Sequence, residues 1–176
     1  MVNQISIETR PPVVTEKSRI GDWEVDSVIG KAHQGVIVTM VERRSKLLRM
    51  EKLDYKTAVL TKEAMCKLLI GLEVKTITSD NGKEFALHQE IAKLLAADFY
   101  FCHPYSSWER GVNENTNGLI RQYFPKQMKF ATITAKEIKL AEDKLNNRPR
   151  KTLGYQTPNE VYNKELKELH KVALTT

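Results

Sequence analysis

Residues 74–102 limit what this chain can fold into more than any other stretch. "VKTITSD" (74–80) has the pattern of a short apolar strand, "EFALHQEIAKLLAA" (84–97) that of a helix, and "DFYFC" (98–102) that of a second apolar strand. Two strands joined through a helix of that length run parallel, because the crossover returns the chain to the same end of the sheet. Three β-rich runs precede them, "DWEVDSVIG" (22–30), "GVIVTMVER" (35–43) and "KLLRMEKL" (46–53). Their joins, "KAHQ" and "RS", are short enough for antiparallel hairpins. An antiparallel meander continued by parallel strands is a mixed five-stranded sheet flanked by helices, an α/β fold.

The rest of the chain fits around that sheet. Residues 1–19 carry a Pro pair and no sustained periodicity, which predicts an extended arm or linker. Helical patterns run from 57 to 72, through 106–124, and from 134 to 147. In a last helix Thr157 caps and Pro158 takes the first position. A chain of 176 residues with 41% hydrophobic content has room for one sizeable core. The expected division is an arm (1–19), a single core (20–162) and a helical tail (163–176).

Charge adds a partner. The chain has 28 Lys and Arg against 22 Asp and Glu, and between Arg121 and Lys151 basic residues outnumber acidic ones nine to three. A local excess of this kind favours a polyanion, and a solvated helical surface is the plain alternative. Cys66 and Cys102 have no metal-ligand spacing and read as buried free thiols of a reducing cytosol. No apolar run approaches the roughly 20 residues of a membrane span, so a cytoplasmic protein is expected.

Three carboxylates stand out. Strand alternation puts Asp22, Glu24 and Asp26 on one face of the first strand, where a mid-strand carboxylate is expensive unless paired or wet. Asp80 ends an apolar strand and precedes the turn formers Asn81 and Gly82, a place where catalytic groups collect and where an aspartate also serves as a simple cap. The stretch "SSWERGVNENTNGLIRQYF" (106–124) offers two glutamates. On a helix with 3.6 residues per turn, Trp108, Val112, Leu119, Ile120 and Tyr123 form an apolar stripe with Glu109 at its edge. Glu114 falls instead in a polar sector with Arg110, Asn117, Gly118 and Arg121, where pairing with either arginine on a solvated surface is the plain alternative. Asp, Asp and Glu on three different elements make an all-oxygen set suited to Mg²⁺ or Mn²⁺. Two such ions, about 4 Å apart, serve phosphoryl transfer.

"GDWEVDSVIG", "TSDNGKEF", "HPYSSWERGVNENTNGLIRQYFPK" and "LNNRPRKTLGYQTPNEVY" together resemble the integrase core of bacterial DDE transposases, in particular the insertion-sequence family numbered thirty, relatives of the retroviral integrases. The resemblance runs from about Ile20 to Tyr162, and the 33 residues between Asp80 and Glu114 match that family's spacing of its second and third acids. It implies an RNase H-like (integrase core) fold and a metal-dependent polynucleotidyl transferase acting on transposon ends and target DNA. It implies Asp26, Asp80 and Glu114 as catalytic metal ligands for two Mg²⁺ or Mn²⁺ ions, an assembly of at least two copies, and a place at the bacterial nucleoid. Asn81, Asn117 and Arg121 then lie beside the acids, where they shape the metal site or hold phosphates of the nucleic acid, while Lys126, Lys129, Arg148, Arg150 and Lys151 meet the phosphate backbone.

Two departures are visible. Val25 stands where these proteins usually have glycine, and Ser27 where they have a larger residue. The amino-terminal helix-turn-helix region of the family is not in this sequence, so the expectation is a catalytic core on its own. A stand-alone nuclease of the same fold and a silent DNA-binding or oligomerisation remnant are the other readings. His33, His88 and His170 are expected at the surface or in turns, and Trp108 and Tyr123 in the core; His103 falls beside the proposed site, with contact to DNA or metal as its minority reading.

Overall fold

The computed structural model describes residues 1–33 and 35–173. Six strands form one sheet: β1 (Ile5–Ser6), β2 (Asp22–Ile29), β3 (Val36–Glu42), β4 (Leu48–Leu53), β5 (Thr76–Ser79) and β6 (Asp98–Phe101). Their spatial order is β1-β6-β5-β2-β3-β4, with β2-β3-β4 an antiparallel meander and β2, β5, β6 and β1 mutually parallel. The sheet therefore has six strands where five were expected. The extra one comes from the arm, where two residues pair with Tyr100 and Phe101. A two-residue strand has no alternation to betray it, and it forms because β6 offers an open edge.

The helices are α1 (Pro12–Glu16), α2 (Ala58–Leu69), α3 (His88–Leu95), α4 (Gly111–Ile120), α5 (Ala135–Asn146) and α6 (Pro158–Ala173). Their starts follow from the sequence: Thr57 accepts from the Leu60 N–H, Thr134 and Glu137 form a capping box, and Thr157 accepts from the Glu160 N–H. Alternation along the strands feeds two cores. Trp23, Val25, Val38 and Met40 pack with Met65, Ile91 and Tyr162 beneath α2, α3 and α6. Val28, Ile37, Val41 and Leu48 pack with Val112, Ile120 and Leu145 beneath α4 and α5. Both faces of β2 are thus covered, so the wet-face alternative for Asp26's strand does not hold. No described helix is long and apolar enough to cross a membrane.

Three expectations about single residues are corrected. Trp108 is 72% exposed, because it lies in a 3-10 turn (Ser107–Arg110) ahead of α4 rather than on the helical stripe. His88 is buried, edge-on to Phe101 and with its Nδ1 3.3 Å from the Phe85 carbonyl oxygen. Cys66 is half-buried, though free as expected. Residues 174–176 of the expected tail lie outside the described residues, as does the side chain of His33.

Candidate active site

Asp26 and Asp80 sit on neighbouring strands in matching register. Glu24 pairs with Thr78 across β2 and β5, which places the two aspartates side by side where β5 ends. Each divides its oxygens. Oδ1 of Asp26 accepts the Ser27 N–H at 2.8 Å, and Oδ1 of Asp80 accepts the Gly82 N–H at 2.9 Å. The cap reading of Asp80 is therefore right for one oxygen. The other oxygens meet a cation: Arg110 brings Nη1 to 3.3 Å from Oδ2 of Asp26 and Nη2 to 3.2 Å from Oδ2 of Asp80. Only 8% of Arg110 is exposed. Burial alone would lower its pKa, but Asp26 and Asp80 together outweigh burial and hold it above the ordinary arginine value.

Helix α4 is laid over these acids by a buried carboxylate. Glu24, two residues before Asp26 on the same face, accepts the Asn113 N–H at 2.8 Å through Oε2 and is paired with the buried Arg43 through Oε1. An acceptor for an N–H of the first helical turn fixes where the helix begins. Farther along, Asn117 donates to Oδ2 of Asp26 at 2.8 Å, and Arg121 donates to the Ile29 carbonyl at 3.0 Å. Asn117 and Arg121 of α4 thus face β2, and Glu114 stands three residues before Asn117 on the same helix.

Glu114 itself is exposed, and its carboxylate makes no hydrogen bond or ion pair among the described residues. Pairing with Arg110 or Arg121 is not what the structure has, since both arginines are engaged elsewhere. Glu109 turns the other way. Its carboxylate accepts the His103 N–H at 2.9 Å and lies 2.7 Å from His103 Nδ1. Among the described residues no three acid, histidine or cysteine side chains are gathered closely enough to hold an ion.

The donor set nonetheless suits a hard cation. Two carboxylate oxygens already converge on the guanidinium, and the buried Oδ1 of Asn117 has no partner. Asp26 and Asp80 offer carboxylate oxygens there, and Asn117 adds its unpartnered Oδ1.

Another buried carboxylate adjoins the aspartate-bearing segments. Glu84, 5% exposed, accepts from the Ser27 hydroxyl at 3.0 Å and pairs with Lys56 at 2.7 Å. A Cβ on Gly82 would collide with this carboxylate, so glycine there lets the Asp80 turn close onto it. Glu24, Arg110 and Glu84 were not singled out as site residues by sequence. Alternation from Asp26 marks Glu24 as sharing its face, and the helical count had set Arg110 beside Glu114 rather than beside the aspartates, but nothing in a linear pattern marks Glu84.

The expected nucleic-acid contacts divide. Asn81 donates to the Cys102 carbonyl at 2.7 Å and accepts from Gln4 of the arm at 3.0 Å. Arg121 is committed to backbone carbonyls and lies over the Phe130 ring. Arg150 donates to the Leu145 carbonyl at 3.0 Å, and Arg148 to Gln122 at 3.2 Å. Lys126, Lys129 and Lys151 are exposed.

Comparison with known proteins places this arrangement. No family model matches the sequence. The transposase for insertion sequence element IS4351 of Bacteroides fragilis is 52% identical over 161 residues, 90% of this chain and 49% of that protein. The transposase InsI for insertion sequence element IS30A of Escherichia coli strain K12 is 40% identical over 164 residues, 92% of this chain and 43% of that protein. The chain therefore spans about half the length of the curated relatives it matches. The catalytic core domain of BIV integrase superimposes with a TM-score of 0.68 at 23% identity, covering 87% of this chain and 98% of that one, which establishes the integrase-core (RNase H-like) fold. Sequence and fold together make this chain an integrase-like catalytic core belonging to the IS30-family transposases.

Proposed function

We propose that the chain performs metal-dependent phosphodiester cleavage and strand transfer at the ends of a transposable element, with Asp26, Asp80 and Glu114 as its catalytic acids. The observation that carries this reading is the convergence of Asp26 and Asp80 on one cation beneath α4. Asp26 and Asp80 would hold Mg²⁺ or Mn²⁺, with Glu114 joining them and the unpartnered Oδ1 of Asn117 alongside. One or two such ions, when bound, polarise the phosphodiester and make a good nucleophile of water or of a 3′-hydroxyl. Asn117 orients the Asp26 carboxylate, and the Gly82 N–H orients that of Asp80. Exposed Lys126, Lys129 and Lys151 offer positive charge to the DNA backbone, with Asn81, Arg148 and Arg150 nearer to internal contacts. The partner is DNA at the bacterial nucleoid, and the working assembly has at least two copies.

The test is cutting and joining of duplex oligonucleotides that carry the element's ends, in Mg²⁺ or Mn²⁺. Activity is expected to vanish in Asp26→Asn, Asp80→Asn and Glu114→Gln and to persist in Glu109→Gln. Full activity in Glu114→Gln would remove the third acid from this scheme. A silent DNA-binding module is favoured by one observation, the freedom of the Glu114 carboxylate. It would bind duplex but never cut it in either metal.

A further inference from the structure

At the end of the β2–β3 hairpin away from the acids, an open cleft of about 490 Å³ is lined by cations. Lys17 comes from the end of α1, Lys46 from the β3–β4 turn and Lys164 from α6. Thr152 and Gln156 add neutral hydrogen-bonding groups from the segment between α5 and α6. The lining also includes Arg43, paired with the buried Glu24, and Arg44, paired with Glu165, which is the one acid among the described lining residues. The three ammonium groups make no hydrogen bond or ion pair among the described residues. Three elements distant in sequence therefore bring unpartnered like charges to one place, which favours an anion there.

Two further facts set this cleft apart from a solvated lysine surface. Lys46 is half-buried, and burial first, then Lys17 and Arg150, push its pKa below the ordinary lysine value. Lys17 and Lys46 both have left-handed backbone, φ 55° and 62°, where asparagine or glycine would be the easier choice. The cleft is also separate from the acids. Asp26 pairs with Thr39, whereas Lys46 lies beyond Glu42, roughly 10 Å or more along the strand.

The geometry points to a phosphate-binding cleft formed by Lys17, Lys46 and Lys164, its occupant a phosphodiester of a nucleic-acid backbone held away from the reacting acids. This rests on the DNA-processing reading above and adds a second place where the strand is gripped. The cleft is open rather than enclosed, and its lysines are point charges without a fork to match one planar anion. That arrangement suits a backbone passing through more than a small phosphate captured whole. Arg150, one of the charges acting on Lys46, extends the positive track toward Lys151.

Duplex binding by fluorescence anisotropy, read across a salt series, tests this. Asparagine tolerates left-handed backbone, so Lys17→Asn with Lys46→Asn removes two charges and keeps both turns. The double variant is expected to bind an unrelated duplex roughly fivefold more weakly at low salt, with the salt slope reduced by about one per lysine. Its melting temperature should hold or rise, because like charges have been separated. Lys164→Gln, on an exposed helical position, should give a smaller loss in the same direction. Lys17→Arg with Lys46→Arg should restore binding.

Unchanged affinity and slope in both the double variant and Lys164→Gln would overturn the inference. So would a pyrophosphate-induced rise in melting temperature that the double variant loses while duplex binding stays intact, since the cleft would then serve a free phosphate. Asp26→Asn should abolish metal-dependent cutting and leave the salt slope alone. If the wild-type chain binds no duplex, the DNA-processing reading falls and this occupant with it. If it binds duplex and only the lysine variants are neutral, that reading stands and the cleft assignment alone fails.

Discussion

Arg110 reaches Asp80 across thirty residues of chain and stands where its second nitrogen also meets Asp26. A guanidinium between two carboxylates is a built-in counter-cation, and it competes with any metal for the same oxygens. Opposite unit charges this close interact by several kcal/mol even at an effective dielectric near 20, before desolvation is subtracted. Arg110→Gln is therefore expected to tighten Mn²⁺ binding about tenfold in calorimetry, because a divalent ion no longer has to displace a resident charge. The metal-free variant should melt lower, since Asp26 and Asp80 repel, and the stabilisation on adding metal should exceed that of the wild type. Weaker Mn²⁺ binding in Arg110→Gln would mean that the arginine helps to hold the ion.

Glu24 gives a stability prediction with a separate readout. Glu24→Ala leaves Arg43 buried without its carboxylate and removes the acceptor for the Asn113 N–H. Breaking one side of a buried pair costs about 3–5 kcal/mol. Denaturant unfolding should show a loss of that size, and amide exchange at the start of α4 should accelerate more than in the sheet. Burial pushes the Glu24 carboxyl above its usual pKa, with Arg43 and the Asn113 N–H opposing. A raised carboxyl pKa means the folded state binds the proton longer, so this group's contribution falls as pH rises from its unfolded value through its folded one. A contribution that rises across that window would show that Arg43 wins over burial.

The parallel crossover, the meander and the starts of α2, α5 and α6 could be read in advance because periodicity and caps are local. The strand positions of Asp26 and Asp80 and the helical position of Glu114 were legible for the same reason, since periodicity assigns elements without tertiary knowledge. The rest depends on distant contacts. Pairing of Ile5 and Ser6 with β6 needs an edge that exists only once the sheet has formed. Arg110's choice of two aspartates over Glu114 is decided by burial and charge between segments 84 and 30 residues apart. Trp108 obeyed the helical count but lies in a 3-10 turn, where the count does not apply.

Glu84 and Gly82 should behave as a coupled pair. Gly82→Ala drives a methyl group into the Glu84 carboxylate, which cannot simply swing away because Ser27 and Lys56 hold it. Each single substitution, Gly82→Ala or Glu84→Ala, is expected to destabilise by about 1–3 kcal/mol, through overpacking in one and an unsatisfied Ser27 hydroxyl in the other. Combined, they should cost less than the sum, with a coupling of about 1 kcal/mol. Strict additivity in urea unfolding would show that the alanine is accommodated without touching Glu84.

The loop ahead of α4 carries a pH dependence of its own. His103 lies 2.7 Å from Glu109 and 3.3 Å from Glu8 of the arm, and the hydrogen bond to Glu109 raises its pKa above 6.5. A histidine raised in the folded state contributes stability that is complete below its unfolded pKa and lost as pH climbs through the folded one. The clamp between arm and loop is therefore expected to hold at acid pH and to loosen as pH climbs through the raised His103 pKa. Titrating the His103 ring by NMR should give a midpoint above 6.5, and Glu109→Gln should bring it down toward that value. Glu8→Gln should lower it less, because the longer contact to the more exposed carboxylate contributes the smaller share. A midpoint unmoved by Glu109→Gln would separate the imidazole from Glu109 and leave Glu109 free to turn toward Asp26.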